Sequence, residues 1–232
     1  MKVLVVGATG AIGNTLLNQC LRRPEITNII AITRRPLPSS DTAKLSNIIV
    51  PDFGALSSIG NSTWTQMADA DALIWAMGSY VVDENVNYAY PLAFQSALFE
   101  HLERKDKTEK FKWILLGGAF VEPNQTRFLY FMTEQRRTKG LLQTKTLEFA
   151  QENAQWEAIV IRPGAVLFGG DTWMNRAGSA LFGEGLSINA EVLGACVADL
   201  MVNGLGEVEN QGIMTNRELV VRGKTAVETL GQ

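Results

Sequence analysis

The stretch KVLVVGATGAIGN, Lys2 to Asn14, constrains the fold of this chain more than any other. Val3 to Val6 form a continuous apolar run against a glycine turn, the pattern of a strand buried on both faces. Behind the turn, Ile12, Leu16, Leu17, Cys20 and Leu21 recur at helical spacing. A strand therefore runs through a glycine loop into a helix. Such a loop aims unpaired backbone N–H groups and the positive helix end at one point, where an anion, typically a pyrophosphate, is favoured. Gly7 permits the tight turn, Gly10 lets the backbone approach the ligand, and Gly13 lets helix and strand pack closely. With Thr9, Ala11 and Ile12 between them, they form the predicted contact loop of a nucleotide-binding protein.

The rest of the chain repeats the alternation. ITNIIAITRR reads as a second strand ending near Thr33, and LSNIIVPDFG as a third ending at Asp52. DADALIWAMGS is a fourth strand behind a short helix, NYAYPLAFQSALFEHLERK a long helix, and KFKWILLGGAF a fifth strand. From Phe128 to Asn153 helical spacing continues, interrupted at Gly140, before a sixth strand in WEAIVIRPG. Alternation of this kind means right-handed crossovers and a parallel sheet covered on both faces, a doubly wound α/β fold. Beyond Pro163 the pattern loosens into glycine-rich sequence with scattered large apolar residues, and INAEVLGACVADLMVNGL then returns to an amphipathic helix. The expected organisation is one domain over residues 1–232, with a dinucleotide-binding core at 1–165. Residues 166–232 are expected to supply a small substrate cover and the last helices.

Composition removes several classes of function. A net charge of −3 without any run of five like charges gives no basic surface for nucleic acid. No segment approaches the roughly 18 apolar residues of a membrane span, so a soluble, cytoplasmic protein is predicted. Cys20 and Cys196 sit in apolar helical patterns and read as small buried hydrophobes in a reducing compartment. His101, the single histidine, lies among charges as a surface residue, and no metal site is predicted. The partners that remain are a small-molecule substrate and, in a homodimer, a second copy of the chain.

The end of the second strand selects the nucleotide. An acidic residue there accepts from the adenosine ribose hydroxyls in NAD-binding proteins. Here the place holds TRRP: Thr33, Arg34 and Arg35 offer no carboxylate, while Arg34 offers a planar cationic fork suited to a 2′-phosphate. NADP(H) is therefore favoured. Asp52 is placed to accept from the adenine amino group with Phe53 beside the ring, and Ala76, Met77 and Gly78 pass their backbone near the ribose.

These features resemble the atypical short-chain dehydrogenase/reductases of the NmrA-like, NAD(P)H-binding kind found widely in fungi. The matching marks are GATGAIG at 7–13, TRR at 33–35, Asp52, the pair Lys139–Gly140, and RPG at 162–164, in order over roughly the first 165 residues. The resemblance implies a Rossmann sheet with the dinucleotide across its carboxyl edge, touching Lys139, Pro163 and Ala165, and a substrate held by the C-terminal segment. It also implies a serine after the fifth strand and a Tyr-x-x-x-Lys on the next helix, whose tyrosine exchanges a proton with the reacting oxygen.

The sequence departs from that catalytic pattern. Gly117 and Gly118 stand in the serine's place. If Tyr130 is the tyrosine, Glu134 holds the lysine position; if Lys139 is the lysine, Gln135 holds the tyrosine position. The second register fits better, because Lys139 precedes Arg162 by 23 residues, a family-like spacing. Three readings follow. The chain is a reductase whose acid comes from elsewhere, with Tyr80, Asp83, Tyr88, Tyr90 and Glu122 as candidates. Alternatively it is an isomerase or cyclase using the same cleft, or a redox sensor like NmrA. Tyr80, Trp173 and Phe182 suit a flat apolar substrate and favour a tailoring enzyme. Candidate catalytic residues are thus Lys139, Tyr80 and Tyr130.

Overall fold

The alternation of side chains on β1 (Lys2–Val6) divides the molecule into two faces: Leu4 and Val6 point into one, Val3 and Val5 into the other, and all four are fully buried. The computed structural model describes residues 1–38, 42–79, 81, 83–102, 109–169, 185–206 and 211–230. Around β1 it assembles β2 (Asn28–Thr33), β3 (Leu45–Ile49), β4 (Ala72–Trp75), β5 (Phe111–Leu116) and β6 (Trp156–Arg162). A short parallel pair, β7 (Ala165–Leu167) and β8 (Ser187–Asn189), lies apart, and β9 (Ile213–Thr215) joins β6. Among the described residues the main sheet has seven strands in the order β3-β2-β1-β4-β5-β6-β9, all parallel. This is a Rossmann-like doubly wound fold, whose strand order reverses between β1 and β4. Crevices for ligands open at such a reversal, beyond the carboxyl ends of the strands.

The two faces are packed from different materials. Helices α1 (Ala11–Arg22), α5 (Ala190–Asn203) and α6 (Asn216–Leu230) cover an aliphatic face, with Leu16, Leu193, Val197 and Leu219 against Val3, Val5, Ile74 and Ile159. Helices α2 (Asn61–Ala68), α3 (Tyr90–Glu100) and α4 (Thr133–Glu152) cover an aromatic one, with Trp64, Phe94 and Leu142 against Val6, Trp75, Trp113 and Val160. The Trp75 and Trp113 rings stack at 5.7 Å, and Trp113 meets Trp156 at 5.6 Å. On the aliphatic face Asp199 of α5 accepts from Arg23 Nη2 at 2.8 Å and from Arg222 Nε at 2.7 Å, tying the end of α1 to α6. Cys20 and Cys196 are buried there, and burial pushes each thiol up to about 12, which leaves both as inert packing groups.

Several expectations need correction. The third strand stops at Ile49, ahead of Pro51, which has no N–H to give a ladder. The fourth helix starts at Thr133 and not near Phe128, because Met132 has φ 47, a left-handed conformation no helix continues through. His101 is half-buried, its ring stacked on Trp64 at 5.5 Å with Nδ1 2.9 Å from the Ala97 carbonyl, so it is not a free surface residue. Within the segment after residue 165, the last helices α5 and α6 complete the core and β9 joins the sheet. The part of that segment carrying Trp173 and Phe182 lies outside the described residues. No helix among the described residues is long and apolar enough to cross a membrane.

Candidate functional site

The glycine loop at the end of β1 is fixed by backbone collisions. Gly7 has φ +87, and a Cβ there would lie 2.7 Å from the Met77 nitrogen, so the turn presses directly on the chain leaving β4. A Cβ on Gly13 would overlap the Gly7 carbonyl, which is how α1 packs so close to β1. Gly10 is the N-cap of α1; it is extended, offers no side chain to the helix end, and would place a Cβ 3.4 Å from the Gly7 carbonyl oxygen. Thr9, Gly10 and Ala11 are exposed, while Ile12 turns partly into the aliphatic core. The first turn of α1 holds no acidic residue, and its amides have no side-chain cap. An anionic diphosphate fits this end, since amides and helix dipole both favour negative charge there.

Next to it lies the end of β2. Val6 pairs with Ile32, which brings Thr33 alongside Gly7 and sends Arg34 and Arg35 just beyond, both exposed. Asn47 of β3 fixes this turn: its Nδ2 donates to the Ala31 carbonyl and to Thr33 Oγ1, each at 2.8 Å, and its Oδ1 accepts from Leu37 N at 3.0 Å. Thr33 Oγ1 donates in turn to the Arg35 carbonyl at 2.7 Å. The arginine-bearing turn is thereby held without using either guanidinium.

Beyond β3, Asp52 is exposed and its Oδ1 accepts from Gly54 N at 2.7 Å, an Asx turn that leaves its second oxygen outward. Phe53 does not take its expected place beside a base. Its ring is 2% exposed and packs edge-on against Trp75 at 5.6 Å and against Phe94 at 5.9 Å, so the aromatic core claims it.

A second part of the site lies between the ends of β4 and β5 and the first turns of α4. Met77, Gly78, Asn87, Gly117, Lys139 and Gln143 line a cleft floored by Leu115 and Val160. The β4 end is anchored to β1, Ala76 N donating to the Val6 carbonyl at 3.0 Å. A π-helical turn, Asn85–Ala89, holds Asn87 inward, where its Oδ1 accepts from Ser79 N at 2.9 Å and its Nδ2 donates to the Val81 carbonyl at 3.2 Å. On α4, Gly140 is required by close approach, because a Cβ there would overlap the Glu122 carbonyl. That contact seats the Lys139 turn against the chain arriving from β5. Burial lowers the Lys139 pKa from its ordinary value. One turn further, Gln143 is 3% exposed and its Oε1 accepts from Arg162 Nε at 2.7 Å. Burial lowers the Arg162 pKa as well, and the Glu122 charge opposes that.

Lys139, Ala76, Met77 and Gly78 therefore converge with the glycine loop on one edge of the sheet, and Pro163 and Ala165 follow β6 along the same edge. Pro163 is buried and its carbonyl accepts from Ala119 N at 2.8 Å; Ala165 is exposed and its N–H goes to the Leu186 carbonyl at 2.8 Å. Tyr130 is not brought in. It precedes α4, is 92% exposed and meets Phe128 edge-on at 5.0 Å, so the register that makes it the helical tyrosine fails. Gln135 lies on α4 one turn before Lys139. Tyr80 lies outside the described residues. Tyr88 and Tyr90 pack against the aromatic face, Asp83 Oδ1 accepts from Val86 N at 3.1 Å, and Glu122 accepts from Arg127 at 3.1 Å and Asn124 N at 3.0 Å. None of these four lines the cleft.

Four side-chain amides that no local pattern singles out hold the site together: Asn47, Asn87, Gln143 and Asn216. The last, at the start of α6, accepts from Gly164 N at 2.7 Å and donates to the Ser187 carbonyl at 2.8 Å, fixing the turn after β6.

No protein-family model matches the sequence, and no curated protein does. Solved structures match along nearly the whole chain. A short-chain dehydrogenase from Burkholderia cenocepacia in complex with NADP is 19% identical, with 98% of this chain and 94% of that one covered at a TM-score of 0.63. A 4-hydroxyisoleucine dehydrogenase complexed with NADH is 14% identical, covers 94% and 98%, and has a TM-score of 0.67. A short-chain dehydrogenase/reductase from Saccharomyces cerevisiae is 14% identical, covers 93% and 95%, and has a TM-score of 0.64. At such identities the likeness establishes the fold that these short-chain dehydrogenases/reductases share.

Proposed function

We propose that this chain is an NADP(H)-binding reductase of the atypical, NmrA-like kind, a tailoring enzyme acting on a small apolar metabolite. The observation that carries the reading is the uncapped, acid-free start of α1 beside the exposed Arg34 and Arg35, in line with Lys139 on the same sheet edge. Gly7 to Gly13 hold the diphosphate, Arg34 and Arg35 the 2′-phosphate, Asp52 the adenine amino group, and Lys139 the nicotinamide ribose. The dinucleotide supplies hydride when bound. Neighbours of the same fold in complex with NADP and with NADH support a nicotinamide dinucleotide without choosing between the two. The arginine pair supports the phosphorylated form.

Calorimetry tests the choice. NADPH is expected to bind more tightly than NADH, and Arg34→Asp to cost NADPH about 1.5–3 kcal/mol, roughly 10- to 150-fold in Kd, the scale of a hydrogen bond to a charged group. NADH affinity should change little. Equal affinities in the unaltered protein overturn the assignment.

A second reading, an isomerase or cyclase that keeps the dinucleotide as a wall of its pocket, is favoured by Gly117, Gly118 and Gln135 where the resembled family carries its serine and tyrosine. Stoichiometry separates the two: a reductase oxidises one NADPH for each product, an isomerase none.

A further inference from the structure

We infer that Asn47, on the edge strand β3, is a positioning residue for nucleotide selection: its amide holds the turn 33–37 so that Arg34 and Arg35 meet a 2′-phosphate from a backbone already in place. The inference rests on the NADP(H) reading above and names the residue through which that choice is made. Asn47 acts through the arginines and is not itself a ligand.

The geometry begins with register. β3 pairs with β2 in parallel, Asn47 opposite Ala31 and Ile49 opposite Thr33. Side chains alternate along a strand, so Asn47, Ala31 and Thr33 share one face, the face on which Leu37 packs partly against the aliphatic core. From there the Asn47 amide bonds in both directions at once. Its Nδ2 donates to the Ala31 carbonyl and to Thr33 Oγ1, each at 2.8 Å, while its Oδ1 accepts from Leu37 N at 3.0 Å. A carbonyl only accepts and a main-chain N–H only donates, so the amide has one orientation and a carboxylate could not replace it. Thr33 Oγ1 passes the connection on, donating to the Arg35 carbonyl at 2.7 Å. Pro36 and Pro38 have no N–H, which makes Leu37 N the one main-chain donor from 36 to 38, and Asn47 takes it. Pro36 also confines Arg35 to extended backbone.

Selectivity follows from what a phosphate would otherwise have to order. Arg34 and Arg35 are exposed, and a long exposed side chain gives up rotamer freedom when it binds. Over a loose turn, the phosphate would order main chain and side chains together. Over a turn tied to Ala31, Thr33 and Leu37, the side chains alone remain to be ordered. A dinucleotide without the 2′-phosphate gives the guanidiniums nothing to grip there. The anchoring is therefore worth much to NADPH and little to NADH, whereas an amide that only braced the fold would serve both alike.

Calorimetry on the full chain tests this with NADPH, NADH and adenosine 2′,5′-bisphosphate. Asn47→Leu keeps the bulk of the side chain and gives up its hydrogen bonds. It should weaken NADPH by roughly 5- to 50-fold, the scale of ordering one or two long side chains, and NADH by less than about twofold. Adenosine 2′,5′-bisphosphate carries the phosphate without the nicotinamide and should lose the same factor as NADPH. In a variant that already carries Arg34→Ala and Arg35→Ala, adding Asn47→Leu should weaken NADPH by less than about twofold, because nothing is left to position.

A NADPH loss under about fivefold, an NADH loss that follows it, or a full loss that persists without the arginines each overturns the inference and leaves the NADP(H) reading standing. A preference for NADPH that survives removal of both arginines overturns it as well. Equal affinities for NADPH and NADH in the unaltered protein, or no binding of either, remove the NADP(H) reading, and the inference with it. Should Asn47→Leu fail to fold, Thr33→Val takes its place: it breaks the link from the Asn47 amide to the Arg35 carbonyl, keeps a β-branched residue in the strand, and must show the same selective loss.

Discussion

At the end of β1, Gly7 and Gly13 leave no space for a side chain, whereas at the end of β5 a Cβ on Gly118 would meet nothing within 4 Å. Gly117 lies between these extremes, with a Cβ position 3.1 Å from the Ile161 carbonyl oxygen. The same residue type thus marks two different situations. At the end of β1, glycine is demanded by the backbone, which must turn at Gly7 and bring α1 against β1 at Gly13. At the end of β5, glycine at 118 is the absence of a side chain that the fold has room to carry. Gly7 and Gly13 cannot carry a side chain without moving the chain, whereas Gly118 can.

The largest effect that sharpens this comparison is expected from Gly13→Ala. The new Cβ overlaps the Gly7 carbonyl, so β1 and α1 must separate. Overpacking against backbone should cost about 3 kcal/mol or more, lowering the thermal midpoint by roughly 6–12 °C and abolishing NADPH binding. A folded variant that binds NADPH normally would break the claim that this half is fixed by its backbone.

Gln143→Leu should come next. It keeps a side chain of similar bulk while removing the acceptor of Arg162 Nε, and a part-buried donor left without a partner costs about 1–3 kcal/mol. The midpoint should fall by roughly 2–12 °C, and Gln143→Glu, which restores an acceptor, should recover most of it. A fall that Gln143→Glu does not recover would mean that Gln143 matters as packing and not as the partner of Arg162.

The comparison also explains what was legible in the sequence. The glycine loop, the turn at Thr33 to Arg35 and the alternation of strands and helices are local patterns, each set by neighbours along the chain. Gly140 was visible as half of a Lys–Gly pair, yet its reason, the Glu122 carbonyl pressed against α4, was not. The apolar residues from Phe128 to Met132 read as a helix because their spacing fits one, but Phe128, Tyr130, Phe131 and Met132 are exposed on an irregular segment that ends in the left-handed Met132. β9 escaped because three residues, Ile213–Thr215, carry no period, and the strand exists only where β6 offers an edge. Gln143 finds its partner 19 residues away and Asn216 one of its partners 52 residues away. An amide so paired cannot be told from a surface amide until the chain has folded.

The smallest expected effect has the opposite sign. Gly118 has no positive φ, and its Cβ position is open, so Gly118→Ala asks nothing new of the folded state. In the unfolded chain the substitution removes backbone freedom, which at a compatible position stabilises a protein by about 0.4–1 kcal/mol. The thermal midpoint should therefore rise by roughly 1–4 °C, and calorimetry should find NADPH affinity within about twofold of the unaltered protein. A fall of several degrees would place Gly118 with Gly7 and Gly13 as a residue its backbone requires, and the two halves of the site would then obey one rule. A rise in stability with a large loss of NADPH affinity would mean instead that the open space beside Gly118 belongs to the cofactor, so that glycine there serves binding.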